Sequence, residues 1–134
     1  MATSQIPDLW SDQILPAVAT PKSLLEMQAK KLATHTNGLV VAEVTRSERT
    51  ADTVSHHLVV RAPVRNFSQE VLEIRHHKMV VYPCTIHAEE LESEFADEAE
   101  AYSPQQVLDA LAQVLRSPRI VALVNSLVAL SNDD

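Results

Sequence analysis

The sequence predicts an α+β domain: a four-stranded antiparallel β-meander with an N-terminal helix and two C-terminal helices packed on one of its faces. Three observations lead there. Between Leu39 and Ala88, apolar residues recur with period two in LVVAEVTR, TVSHHLVVRA, QEVLEIRHH and KMVVYPCTIHA, separated by short connections. Three Ser/Thr-Pro pairs (Thr20-Pro21, Ser103-Pro104 and Ser117-Pro118) each open a stretch of helical periodicity. A chain of 134 residues, 46% hydrophobic and 22% charged, is also the right size and composition for one self-sufficient core. With aromatics at 4%, that core has to be built from Val, Leu, Ile and Ala.

Residues 1–19 carry Pro7 and Pro16 among scattered apolar residues and read as an extended arm. One helical turn is expected around Ser11 to Leu15, with Trp10 pinning the arm to a single domain of residues 20–134. The first helix starts at the Thr20-Pro21 cap and stops at Asn37-Gly38. Leu24, Leu25, Gln28, Leu32 and His35 share one stripe of it, with Lys22, Glu26 and Lys30 opposite. Gln28 interrupts that stripe and is read as satisfying a neighbouring backbone group ahead of contacting a ligand.

In the first strand Val40, Ala42 and Val44 point one way. Val54, His56, Leu58, Val60 and Ala62 do so in the second, and Leu72 and Ile74 in the third. Pro83 lacks a ladder donor, which makes the fourth strand an edge or bends it there. Residues 89–103 are expected to form an acidic connector. From Glu89 to Glu100 it holds seven carboxylates and no Lys or Arg, which accounts for the whole net charge of −7. Val107, Leu108, Leu111, Val114 and Leu115 form an amphipathic face on the next helix. The last, RIVALVNSLVAL, is apolar on nearly every side and needs burial on more than one face.

Several chemistries are excluded. The single glycine, Gly38, rules out phosphate-cradling loops, dinucleotide fingerprints and a G-x-S-x-G elbow. An acidic chain without a basic stripe disfavours nucleic acid and favours a protein partner, a basic one if the acidic segment steers it. The lone Cys84, a polar N-terminus and an apolar run of only Ile120 to Leu130 point to a cytoplasmic protein with no membrane span.

Candidate site residues cluster around two histidine doublets, His56-His57 and His76-His77. Setting Leu58 opposite Ile74 and Val60 opposite Leu72 keeps the apolar faces together and places His56 opposite His76, with Val44 beside His56. The two imidazoles read first as polar fillers at the sheet rim, hydrogen-bonded to backbone or water, and second as a candidate divalent-metal site, short of the three protein ligands a catalytic zinc usually has; no other cofactor is expected. Cys84 and His87 are three apart and fall on opposite faces of a regular strand, which defeats a thiol–imidazole pair. Glu89 and Glu90 belong to a charge run that reads as a solvated face.

The reverse side of the sheet is expected to carry Glu43, His57, Arg61, Glu73 and Arg75 together with Leu39, Val41, Val59 and Val71. Such a mixture suits an interface. The function this predicts is a non-enzymatic interaction module, homo-oligomeric, that binds a protein partner through Glu43, His57, Val59, Arg61, Val71, Glu73 and Arg75 and through its last helix. The alternative is a small-ligand or divalent-metal module between sheet and helices, using the rim histidines and Gln28.

Overall fold

The computed structural model describes residues 6–91 and 98–133. Helix α1 (Pro21–His35) is followed by strands β1 (Val41–Glu48), β2 (Thr53–Ala62), β3 (Phe67–His77), β4 (Val80–His87) and β5 (Glu98–Ala101), then α2 (Pro104–Leu115) and α3 (Pro118–Asn132). The strands pair antiparallel in chain order, so the α+β meander has five strands instead of four. The extra strand comes from the acidic stretch. In Glu98-Ala99-Glu100-Ala101 the alanines face the core and the glutamates pair outward, a period-two signal carried by residues of poor β-propensity. Glu92, Glu94 and Asp97 lie outside the described residues.

All three helices start on the side chain that their caps imply. Thr20 Oγ1 accepts from Ser23 N at 3.1 Å in a reciprocal box, and Ser103 and Ser117 accept from Gln106 N and Ile120 N, both at 3.3 Å. Each cap is worth about 1 kcal/mol. Past α1, Asn37 and Gly38 take positive φ, 52° and 81°. A side chain at Gly38 would meet nothing, so the glycine is there for its conformation and not for space. Thr36, the C-cap, then bridges the turn by donating to Val40 O at 2.7 Å and accepting from Val40 N at 3.1 Å.

The core sits between one sheet face and the helices: Leu24 and Leu25 from α1, Leu58, Val60, Leu72, Ile74 and Ile86 from the sheet, Val107, Leu111 and Val114 from α2. Burying each such side chain contributes roughly 1.5–3 kcal/mol. Register differs from the sequence expectation by two residues up to Leu58, and by three beyond it, where Val60 faces Gln69 and not Leu72. Leu58 faces Leu72, not Ile74, and Val44 faces Leu58, not His56. A shift of two keeps every side chain on its face while changing every partner, so apolar matching alone cannot detect it. The β1–β2 turn fixes the first hairpin: Thr50 Oγ1 accepts from Asp52 N and Thr53 N, and Arg49 N donates to Thr53 O.

A bulge next to Leu58/Val59 leaves Val71 unpaired and turns it inward; at 4% exposure it belongs to the core and not to the reverse face. β4 is not an edge, because β5 pairs with it. Pro83, after a cis Tyr82–Pro83 bond, falls where the β3–β4 register shifts, so its missing N–H leaves the ladder on either side intact.

Candidate functional site

Three places on the molecule gather chemistry. The first is the buried histidine pair. His56 faces Ile74 and His76 faces Val54, so the two imidazoles meet on the diagonal and not directly across. Their Nε2 atoms lie 3.0 Å apart and the rings stack at 5.1 Å. His76 Nδ1 donates to the His77 carbonyl at 2.7 Å, which leaves its Nε2 as acceptor for the Nε2–H of His56. His56 Nδ1 then points into the protein without a partner. Burial, seconded by His76, Lys22, Arg46 and His57, pulls His56 from 6.5 down to about 4. Each ring uses its facing nitrogen on the other, and among the described residues no third His, Cys, Asp or Glu joins them. The donor set is therefore two nitrogens where a catalytic zinc usually takes three protein ligands.

The second is the outer face of the sheet, where strand pairing lines up a row across all five strands: Thr45, His57, Glu73, His87 and Glu98. Beside it runs Ser47, Ser55, Arg75, Thr85 and Glu100. Glu73 is the hub of this face. Arg75 bonds both its oxygens, and Arg49 and His57 stand 3.8 and 3.9 Å away. Burial works to raise its carboxyl, but the Arg75 hydrogen bond and charge win and hold it below the ordinary value. His87 is held low by burial and by Arg75, against the opposing pull of Glu98 and Glu73.

His57 is gripped at both nitrogens, Nδ1 by Glu70 and Nε2 by Ser47 Oγ at 2.8 Å. Serine, imidazole and carboxylate follow one another in the order a hydrolase uses. Here, however, Ser47 is exposed on an edge strand and does not line the cleft between α1, the sheet and α3. Water competes for each of those bonds, and the dry surroundings that make such a relay effective are missing.

Of the residues assigned to this face from sequence, Glu43 pairs with Arg61, and His57, Glu73 and Arg75 belong to the network just described. Val41 and Val59 are half-buried among them, and Leu39 turns instead toward a cleft on the inner side. The face is more polar than sequence alone implied, and Glu43, Arg61, Glu73 and Arg75 are already paired with one another. Ser47, Glu70, His87 and Glu98 were missed. The last two became visible only once β5 was in place.

The third place is that inner cleft, about 890 Å³, between the second half of α1, the sheet and α3. Leu32, Ala42, Leu58, Val60, Ile120, Val124 and Val128 form its walls, with Gln28, Lys31, Arg116 and Asn125 among them. α3 packs on the core through Ile120, Leu123, Val124, Leu127 and Val128 and is clamped by polar bonds at both ends. Arg119 binds Glu90 and Glu89 at the start of the helix, and Arg65 donates to Leu130 O and to Asp133 O at its finish. Between these clamps Ile120 and Leu127 are buried and Leu123, Val124 and Val128 are half-buried against the core, while Val121 and Leu130 are about half exposed.

No family model, curated protein or solved structure matches the chain.

The remaining sequence candidates are simply placed. Cys84 faces the core opposite Ala101, and burial pushes its thiol up to about 11, so it stays protonated. His87 is on the other side of the strand, opposite Glu98. Glu90 is a buried anchor for α3 and not part of a solvated face, and Glu89 beside it is exposed. Trp10 is 79% exposed and does not hold the arm against the body. Among the described residues no single helix is long and apolar enough to cross a membrane, and the break between α2 and α3 is bent by 62°.

Proposed function

We propose that the protein is a non-enzymatic interaction module that associates with itself and takes its partners on α3 and the cleft beside it. The outer sheet face is the weaker docking surface. Its Glu43, Arg61, Glu73 and Arg75 are mutually paired, and pulling such pairs out of water costs more than it returns. The observation that carries the reading is the state of α3: an apolar helix clamped at both ends and packed on the core along one side, which still leaves Val121 and Leu130 about half exposed. A helix that apolar is stable when a second surface covers it. Sedimentation velocity on the full chain tests this. The wild type should sediment as an oligomer, and Val121→Glu or Leu130→Glu should shift it toward monomer by at least roughly tenfold in Kd, about 1.4 kcal/mol. A wild type that stays monomeric at high concentration refutes the reading.

A second reading is supported by the cleft itself. About 890 Å³ is within the range for small-molecule sites, and apolar walls with a few polar groups are their usual lining. Gln28, Lys31 and Arg116 would orient a small apolar acid there. Melting curves with medium-chain carboxylates distinguish the two: ligand binding raises Tm without changing the sedimentation coefficient. A metal at His56 and His76 forms no part of either reading, because the pair supplies only two donors and spends them on each other.

A further inference from the structure

We propose that the protein closes into a dimer by exchanging N-terminal arms, residues 6–19 of each copy lying in the α1–α3 cleft of the other. This rests on the self-association reading above and names the occupant of the cleft as a second copy of the chain. The arm leaves Ile6, Leu9, Trp10, Ile14, Leu15 and Val18 between 52 and 88% exposed. Beyond short-range bonds at Trp10, Gln13 and Ile14, its one hydrogen bond to the body among the described residues is at the root, where the Tyr82 hydroxyl donates to Ala19 O at 2.8 Å. Six exposed apolar side chains in one short segment need a surface to cover them.

The cleft is complementary in charge as well as in polarity. Among the described residues that line it are Lys31 and Arg116 and no carboxylate, in a chain with 18 acidic residues against 11 Lys and Arg. The arm is the reverse: Asp8 and Asp12, and no Lys or Arg anywhere in residues 1–19. Geometry favours the neighbour over the arm's own body. The arm leaves from the N-terminus of α1, whereas the cleft lies along the helix's second half, from Gln28 to Asn37. Entering its own cleft would require the arm to double back along α1. Extended at about 3.3 Å per residue, fourteen residues reach roughly 45 Å, enough to cross to a partner. Pro7 and Pro16 restrict the free arm and lower the entropy lost on docking. Two arms and two clefts related by a two-fold axis leave neither unfilled.

Trp10 is the chain's only tryptophan, so its emission reports the arm directly. The experiment is sedimentation velocity and Trp10 emission across a dilution series of the full chain. A dimer with blue-shifted emission is expected, both signals changing together on dilution. Trp10→Ala should raise the dimer Kd roughly 10- to 100-fold, as loss of a buried aromatic anchor does, and Leu9→Ser should red-shift the Trp10 emission. Val124→Asp should weaken the dimer from the cleft side. If that variant fails to fold, Trp10→Ala still decides, since Trp10 is exposed in the folded chain. A dimer whose Kd ignores Trp10→Ala overturns the exchange and leaves the α3 reading standing. A monomer with shielded Trp10 overturns it in favour of the arm's own cleft. A monomer with exposed Trp10 overturns both.

Discussion

On the inner face of the sheet, His56 is buried between Val54 and Leu58 and has only His76 to bond. One residue along the chain, on the outer face, His57 stands among Glu70, Glu73 and Ser47. The two side chains are chemically identical and their backbones are adjacent. Strand alternation sends one into a medium that penalises charge and the other into a network of opposite charges. The inner face therefore earns its stability from burial, and the outer face exchanges bonds to water for bonds to itself at small net gain.

The strongest way to break this contrast is to empty a position on each side. Ile74 is fully buried, so Ile74→Ala should cost about 2–5 kcal/mol in denaturant unfolding. Thr45→Ala, exposed at the end of the outer row, should stay within about 0.5 kcal/mol. Equal losses would mean that the outer face is as tightly built as the core.

Acid separates the faces next. Because the native state holds His56 at about 4 against 6.5 ordinarily, the unfolded chain takes up that proton first. The stability concerned is complete above 6.5 and is lost as pH falls toward 4, about 3 kcal/mol in all. Glu73, depressed in the native state, has its contribution above 4.5 and loses it only below. Melting temperature should thus fall in two stages. Replacing His56 and His76 together by Leu should flatten the upper stage and spare the lower. An unchanged upper stage would assign it to His87, which is also held low in the fold.

The smallest effect sharpens the comparison most. Glu43 and Arg61 are both more than 40% exposed, and a double-mutant cycle between them should give a coupling of about 0.2–1 kcal/mol. A coupling well above that would show the outer face to be covered in solution, and would move the proposed docking surface from α3 back to the sheet.

Much of this was legible beforehand, and the misses have identifiable causes. The three helix starts could be read because a Ser or Thr cap followed by proline is a local signal, made by neighbours in the chain. β5 escaped because glutamate and alanine carry little strand preference, so their alternation looked like a charge run. With β5 went the row that links His87 to Glu98. His56 and His76 do meet, but along a diagonal, since the register is two residues away from the one that apolar matching favours.

Taken by itself, the sequence determined which way the regularly alternating residues of β1 to β4 point and where each helix begins, because both follow from spacing over a few residues. Tertiary structure alone decided which residue faces which, that a bulge carries Val71 into the core, and that α3 is clamped at both ends beside a cleft. Those outcomes depend on turn geometry and on contacts between residues tens of positions apart, and no periodicity in a single strand or helix encodes them.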